Sequence, residues 1–346
     1  MERAAAGALE RFGTGALASR IVGGERSIHR EFERALAGFC GSEDALTLVS
    51  GFLTNASLIS HIMGPNDCIV IDELSHASIV NGTKCGRATT YKFRHNDLDH
   101  LDHVLAAQRG GHGHCLIVVE GLYSMDGDVP DLTRLLEIKD RHKAWLLIDE
   151  AHSHGVLGAG GRGIAEHFGE DPARIDLVVG TLSKTFVSCG GFIGAAKSVI
   201  DLLRFSLPGF VFSVGMPPMV TASAMKALEL VSRESWRVGK LAENTAYFME
   251  LAHAAGLDTG PAIGRAVVPI FFARAAETMI ASERLLEEGF YAPPIVQIGV
   301  PKDMPRIRFF FSAAHEKADI ARAVDILAGV ATELGAVRPR TTEPAD

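Results

Sequence analysis

The residue best suited to chemistry in this sequence is Lys184, within the stretch Gly-Thr-Leu-Ser-Lys-Thr-Phe-Val-Ser-Cys-Gly-Gly (180–191). The apolar run 175–179 before it predicts a short buried strand. A lysine just past such a strand, among small residues, is expected in a crowded and partly desolvated position. Burial lowers the pKa of a lysine, so that its amine becomes nucleophilic enough to form a Schiff base. The alternative is an ordinary surface lysine in a βα loop.

A second candidate is Asp149, in the stretch Leu-Ile-Asp-Glu-Ala-His-Ser-His-Gly-Val-Leu-Gly (147–158). A carboxylate at the end of a buried strand is costly unless it meets a cation or strong donors. A protonated ring nitrogen of a bound heterocycle is such a partner, and its protonation makes the ring an electron sink. His152 lies within reach of the same ring. A structural or helix-capping aspartate is the alternative.

The letters Asp-Glu-Ala-His also occur as the acidic box of one group of helicases. A helicase needs a GxxxxGK[ST] loop upstream to hold phosphates, and this sequence has none. The helicase hypothesis is therefore excluded.

Two arginines, Arg306 and Arg308, are candidates for holding a substrate carboxylate. They lie in Pro-Arg-Ile-Arg-Phe-Phe-Phe-Ser-Ala-Ala-His (305–315), and on a strand they would share one face. The planar guanidinium group suits a bidentate contact with a carboxylate. The strand pattern alone does not choose between them.

Strands and helices are predicted to alternate through the first two thirds of the chain. The strands are near-continuous apolar runs, as expected where helices cover both faces of a mostly parallel sheet. Ligands bind such sheets at the carboxyl ends of the strands. The residues predicted to meet there, each just after a strand or at the next helix start, are Phe52, His76, Ser124, Asp149 and Lys184.

Composition excludes several other classes of protein. The formal net charge is −8, and there is no long basic run, so nucleic acid is not an expected partner. No segment has the length and hydrophobicity of a membrane span, and the first residues do not look like a signal peptide. The five cysteines form no CxxC pair, which favours reduced thiols in the cytoplasm. His112-Gly-His114 reads as a solvated turn, and no metal site is expected.

Three motifs occur in a fixed order: Val-Glu-Gly-Leu-Tyr-Ser-Met-Asp-Gly-Asp (119–128), the Asp149 stretch and the Lys184 stretch. Together they resemble the fold-type I pyridoxal-phosphate enzymes, and within these the α-oxoamine synthases. That family includes 8-amino-7-oxononanoate synthase, serine palmitoyltransferase and 2-amino-3-ketobutyrate CoA ligase. The similarity runs from Phe12-Gly-Thr-Gly to about Leu327. The sequences of these motifs are most similar to those of family members associated with polyketide pathways.

The resemblance implies an α/β fold, with a large domain built on a mostly parallel seven-stranded sheet and a small C-terminal α+β domain. The expected division is an N-terminal segment 1–40, shorter than in the family, a cofactor domain 41–235, and a long helix with the small domain in 236–346. A homodimer with shared active sites is also implied.

The resemblance further implies a role for each site residue. Lys184 carries pyridoxal 5'-phosphate, and Asp149 meets the pyridine nitrogen. His76, in Asp-Glu-Leu-Ser-His-Ala-Ser (72–78), stacks on the ring, and these three form the catalytic set. Arg308 holds the substrate carboxylate, with Arg306 as the fallback. Ser124 and His152 are implied to contact the ring hydroxyl. The implied contacts to the phosphate come from Gly51, Phe52 and Thr181.

The implied reaction is the condensation of glycine, alanine or serine with an acyl thioester, giving an aminoketone and CO₂. The acyl donor is either an acyl-coenzyme A or an acyl carrier protein. The alternatives are an aminotransferase of the same fold and a non-catalytic partner subunit of such a synthase.

Two departures from the family pattern concern hydroxyl groups near the site. The loop 212–216 reads Phe-Ser-Val-Gly-Met instead of carrying a Ser-Thr pair, and Gly299 replaces a threonine.

Overall fold

The computed structural model describes residues 1–297 and 304–335; Gly299 lies outside them. The chain forms two compact units. The first comprises Met1–Leu122 and Pro130–Ser235, and the second comprises Tyr123–Val129 together with Trp236–Asp346. The division into 1–40, 41–235 and 236–346 stays a prediction, because compactness does not show which segment folds independently.

The first unit is built on a seven-stranded sheet with the strand order β1-β7-β6-β5-β4-β2-β3. Only β7 runs antiparallel to its neighbours, β1 and β6, and the other pairs are parallel. The strands are β1 (Asp44–Leu48), β2 (Cys68–Asp72), β3 (Thr89–Phe93), β4 (Cys115–Glu120), β5 (Trp145–Asp149), β6 (Leu177–Thr181) and β7 (Gly191–Ala195). The seven strands and the mostly parallel arrangement agree with the prediction.

Helices follow most of these strands, as the alternating pattern predicted. They are α1 (Glu2–Phe12), α2 (Ser27–Cys40), α3 (Gly51–Ile62), α4 (Ala77–Cys85), α5 (Leu98–Gln108), α6 (Leu132–His142), α7 (Ile164–Phe168), α8 (Lys197–Ser206), α9 (Pro208–Val211) and α10 (Pro218–Arg233). Aspartate side chains cap two of them: Asp97 accepts from the His100 N–H, and Asp131 accepts from the Arg134 N–H. Such caps satisfy orphan donors and fix where each helix begins.

A buried apolar core holds the sheet against its helices. Leu46, Ile71, Val118 and Val179 from the strands pack in one cluster with Leu58 of α3. At ~25 cal/mol per Å² of apolar surface buried, each such side chain contributes roughly 1.5–3 kcal/mol. The core therefore makes the sheet a rigid base for the loops at its carboxyl edge.

The second unit consists of a small antiparallel sheet with the order β8-β10-β9 and three helices. Its elements are α11 (Trp236–Ala254), β8 (Val267–Phe271), α12 (Ala275–Glu287), β9 (Pro294–Ile295), β10 (Arg306–Phe310) and α13 (Lys317–Leu334). Its own apolar core is formed by residues such as Phe248, Ile270 and Leu327. Across residues 1–297 and 304–335, no helix is both long and apolar enough to cross a membrane.

Candidate active site

A cavity of about 350 Å³ lies where the carboxyl ends of β4, β5 and β6 meet the first turns of α3 and α4. Parallel strands bring their carboxyl ends to one edge of a sheet, and such an edge is the usual ligand site of α/β folds. Most of the predicted site residues line this one cavity, namely Gly51, Phe52, His76, Asp149, His152, Thr181 and Lys184.

Asp149 ends β5 at the wall of the cavity and is only 5% exposed. Its Oδ2 accepts a hydrogen bond from Asn55 Nδ2 at 2.6 Å, and its Oδ1 accepts from the backbone N–H of Ala151 at 3.0 Å. These donors offset the cost of burying a carboxylate. An ionised carboxylate has about four acceptor positions, so both oxygens keep capacity for a further donor.

The neighbouring Glu150 does not line the cavity. Its carboxylate accepts from the Ser153 hydroxyl and from the backbone N–H of Ile164, and it thereby ties down the turn after β5. Burial raises the pKa of Glu150 to about 7. Of the two adjacent acids, Asp149 alone faces the cavity.

His76 is the N-cap residue of α4, and three contacts fix it. Its backbone N–H donates to Glu120 Oε1 at 2.7 Å. Its ring Nδ1 lies 2.8 Å from Ser78 Oγ and accepts from the Ser78 N–H at 3.2 Å. The imidazole is therefore held at a defined place on the cavity wall.

Lys184 lies in the turn after β6 and lines the cavity, but its side chain is exposed. The prediction that neighbouring residues of this chain crowd and desolvate the Lys184 side chain is therefore wrong. The turn, closed by a hydrogen bond from the Val187 N–H to the Lys184 carbonyl (2.9 Å), projects past the end of the strand. Small neighbours in the sequence do not cover a side chain that stands at the mouth of a cavity.

The first turn of α3 and the end of β6 meet in a corner that has the donors an anion would need. Ser50 caps the helix by accepting from the Leu53 N–H, so the Gly51 and Phe52 N–H groups lie at the open helix end. The hydroxyls of Thr181 and Ser183 lie 2.9 Å apart beside them. A Cβ on Gly51 would stand 2.7 Å from Thr181 Oγ1. Glycine is thus required for the helix end to approach the strand so closely.

Ser124 and Arg308 belong to the second unit. There Arg308 Nη1 donates to the Ser124 backbone oxygen at 2.7 Å. Arg306, which the sequence left as the fallback, is 1% exposed and forms a buried ion pair with Asp126 at 2.6 Å. Arg306 is thereby committed to a structural contact, which favours Arg308 as the substrate ligand.

Several residues that line the cavity were not predicted from the sequence: Asn55, Ser78, Glu120, Ser183 and Cys189. Ser183 was within reach of sequence reasoning, because it sits two residues past Thr181 in the same turn. Asn55 and Ser78 lie inside helical patterns, where a polar residue gives no sign that it faces a ligand site.

Comparison with known proteins assigns the class. The aminotransferase class I and II family matches residues 4–327. The 8-amino-7-oxononanoate synthase of Geobacter sulfurreducens is 40% identical over 339 residues, covering 97% of this chain and 86% of that protein. That of Symbiobacterium thermophilum is 38% identical over 330 residues, covering 95% and 84%. These matches place the chain among the fold-type I pyridoxal-phosphate transferases.

Solved structures narrow the class to a family. Serine palmitoyltransferase of S. paucimobilis, with a bound PLP–myriocin aldimine, superposes with a TM-score of 0.92 at 30% identity, covering 96% of this chain and 84% of that one. The chain belongs to the α-oxoamine synthase family. It is a pyridoxal-phosphate-dependent acyltransferase that condenses an amino acid with an acyl thioester, so the predicted fold class, function and cofactor are confirmed.

The residues of the cavity fit this cofactor. The corner at Gly51, which leaves no room for a Cβ, provides backbone N–H groups and hydroxyls for a phosphate. Asp149 provides a buried carboxylate with acceptor capacity for a pyridinium N–H. Lys184 lines the same cavity as the amine.

Proposed function

We propose that this enzyme joins glycine, alanine or serine to an acyl group, with Lys184, His76 and Asp149 as its catalytic residues. The amino acid Cα loses its proton to a base, attacks the acyl carbonyl carbon, and the thiolate leaves. The amino acid carboxylate then departs as CO₂, and the electron pair that it leaves on Cα takes up a proton, so that an α-aminoketone remains. The observation that supports these roles is the convergence of Lys184, His76 and Asp149 on one cavity.

Bound pyridoxal phosphate supplies an electron sink for the negative charge that develops at the amino acid Cα. Asp149 keeps a proton on the pyridine nitrogen, and its burial strengthens that charge-assisted contact. Lys184, exposed at the cavity mouth, has the freedom to act as the base that removes the Cα proton. His76 covers the ring.

The remaining contacts divide between the two ends of the cofactor. By the family pattern, His152, which lines the cavity, and Ser124 would bind the ring hydroxyl. Gly51 and Phe52 donate backbone N–H groups to the phosphate, and Thr181 adds its hydroxyl. The proximity of Ser183 Oγ to Thr181 Oγ1, 2.9 Å, supports adding Ser183 to that group.

The acyl donor is an acyl-coenzyme A or an acyl carrier protein. A single assay distinguishes these two donors and also tests the class of reaction. CO₂ release is measured with each of the three amino acids against both kinds of thioester. Release that depends on the thioester is the expected result. Amino-group transfer to a keto acid without CO₂ would identify an aminotransferase, and the absence of both reactions in the cofactor-loaded protein would indicate a non-catalytic subunit.

Arg308 is proposed to hold the substrate carboxylate, and Arg308→Lys tests it. We expect the KM for the amino acid to rise by about 10–100-fold, because a lysine cannot make the bidentate contact. Arg322→Lys is the matched control, since Arg322 belongs to the same unit and pairs with Glu288 at the surface. An unchanged KM in Arg308→Lys would rule out the role.

We further propose a homodimer in which each active site is completed by the partner. The support is an exposed apolar surface, the Leu17–Phe212 patch, formed by Leu17 (88% exposed), Val22 (82%), Phe212 (85%) and Val214 (51%). Its two segments are tied by a hydrogen bond from the Gly215 N–H to the Ala18 carbonyl at 3.1 Å. Apolar patches of this kind mark interaction sites.

Phe212→Asp tests the homodimer, because a charge buried in an apolar interface is strongly unfavourable. Sedimentation should show a dimer for the wild type at low micromolar concentration and a monomer for the variant, which also loses cofactor. Leu286→Asp places the same charge at an exposed leucine of the second unit and should remain dimeric. A wild-type monomer that keeps cofactor and activity on dilution would refute a shared site.

The five cysteines, at positions 40, 68, 85, 115 and 189, are all free thiols. Free thiols suit a reducing compartment, and this supports a cytoplasmic location for the enzyme.

A further inference from the structure

We propose that Asn55 and Ser78 are positioning residues that fix the tautomer of His76 and link it to Asp149 through a hydrogen-bonded chain. The chain runs from Asp149 Oδ2 through the Asn55 amide and the Ser78 hydroxyl to His76 Nδ1. This inference rests on the roles proposed above for His76 and Asp149.

The first link is the Asn55 side chain on α3, which is 3% exposed. Its Nδ2 lies 2.6 Å from Asp149 Oδ2 and 3.0 Å from Ser78 Oγ. A carboxylate only accepts hydrogen bonds, so the amide must turn its NH₂ group toward it. Both amide protons are then used, one for each neighbour.

The second link follows from counting protons. Ser78 Oγ already accepts from Asn55, so its single proton is available for His76 Nδ1, 2.8 Å away. The backbone N–H of Ser78 also donates to Nδ1, at 3.2 Å. A backbone N–H is always a donor, which means that Nδ1 offers a lone pair. The proton of the neutral imidazole is therefore on Nε2.

The consequence is a defined donor at the cavity. His76 presents Nε2–H, while its other nitrogen is occupied by Ser78. The same amide that orients Ser78 also holds the carboxylate of Asp149. One buried side chain, Asn55, thus positions two of the three proposed catalytic residues. The linked donors and acceptors specify one arrangement of these side chains, although the Asn55 Oδ1 itself has no hydrogen-bond partner among the described residues.

The test is the ¹⁵N spectrum of the histidine ring nitrogens in the cofactor-free protein, at a pH where the neutral imidazole dominates. The His76→Gln variant identifies the His76 signals among those of the 14 histidines. We expect the wild type to show an unprotonated Nδ1 and a protonated Nε2. Ser78→Ala and Asn55→Ala should each lower the ratio of the Nε2–H to the Nδ1–H tautomer by about fivefold, the effect of one hydrogen bond. Ser78→Thr, which keeps the hydroxyl, should restore it.

Two control variants match these changes. Thr83→Val removes another hydroxyl of α4, one that donates to the Val80 carbonyl. Asn244→Ala removes an equally buried amide, which donates to the Ser312 and His315 carbonyls in the second unit. Neither control should change the tautomer ratio of His76. If Asn55→Ala does not fold, the two Ser78 variants decide the question.

A protonated Nδ1 in the wild type, or an unchanged ratio in Ser78→Ala, would overturn the inference. Because the protein is measured without cofactor, this result is independent of the CO₂ assay. Failure of the network would leave the proposed reaction standing, and failure of the reaction would leave the network standing.

Discussion

Lys184→Ala is expected to fold and to lose activity by on the order of 10⁴-fold or more, since the substitution removes both the covalent attachment of the cofactor and the base. The side chain is exposed and lies in a turn closed by its own backbone. Truncation therefore leaves no cavity in the core, so lost activity will reflect chemistry and not unfolding.

Two measurements separate this role from a general effect of losing a lysine. Borohydride treatment of the loaded wild type, followed by peptide mapping, should place the cofactor on Lys184. Lys197→Ala is the matched control, because Lys197 is also exposed and pairs with Asp201 at 2.7 Å on the surface of α8. Attachment of the label to Lys197, or normal turnover of Lys184→Ala, would disprove the central assignment.

The fold was predictable because its signals are local. Most strands of the large sheet are short apolar runs such as Cys68–Asp72, which is fully buried, and helices with their own periodicity separate most of the strands. The edge strand β3 (Thr89–Phe93) is the polar exception. Once the strands are predicted, the loops that form the site are predicted as well, because the carboxyl ends of parallel strands share one edge of the sheet. Most of the predicted site residues met in one cavity for this reason.

The environment of Lys184 was not predictable in the same way. Glycine, serine and threonine are neighbours of Lys184 in the sequence only. The desolvation of a lysine depends on which residues pack over its side chain in space. In the structure the Lys184 side chain is exposed, and Ser183 beside it is exposed as well. Sequence identified the amine but not its surroundings.

The Asn55–Ser78 link depends on contacts between distant positions. Asn55 is 23 residues from Ser78 and 94 from Asp149 in sequence. Only the packing of α3 against α4 in the folded chain brings them together, because β1 and β2, the strands before these helices, are not neighbours in the sheet. The helix α1 was not predicted either, although its residues Ala8 and Phe12 lie four apart, at helical spacing, and pack in one cluster with Ile28 and Ala222.

Asp149→Asn is expected to keep the fold and to bind cofactor, yet to lose activity by on the order of 10²-fold or more, about 3 kcal/mol of transition-state stabilisation. The amide oxygen of an asparagine can still accept from Asn55, while its NH₂ group then faces the Ala151 N–H, so one of the two local contacts is kept and the other is lost. A neutral amide, however, cannot keep a proton on the pyridine nitrogen, so the ring loses its capacity to draw charge from Cα.

Glu150→Gln is the matched control for the change from carboxyl to amide, because Glu150 is the adjacent buried acid and does not line the cavity. Burial already raises the pKa of Glu150 to about 7, so this carboxyl is partly protonated near neutral pH and its charge contributes little. We expect turnover in Glu150→Gln within about threefold of the wild type, at a cost of about 1 kcal/mol in stability. Turnover of Asp149→Asn close to that of Glu150→Gln would show that activity does not depend on a carboxylate at the end of β5, and the proposed role of Asp149 would fall.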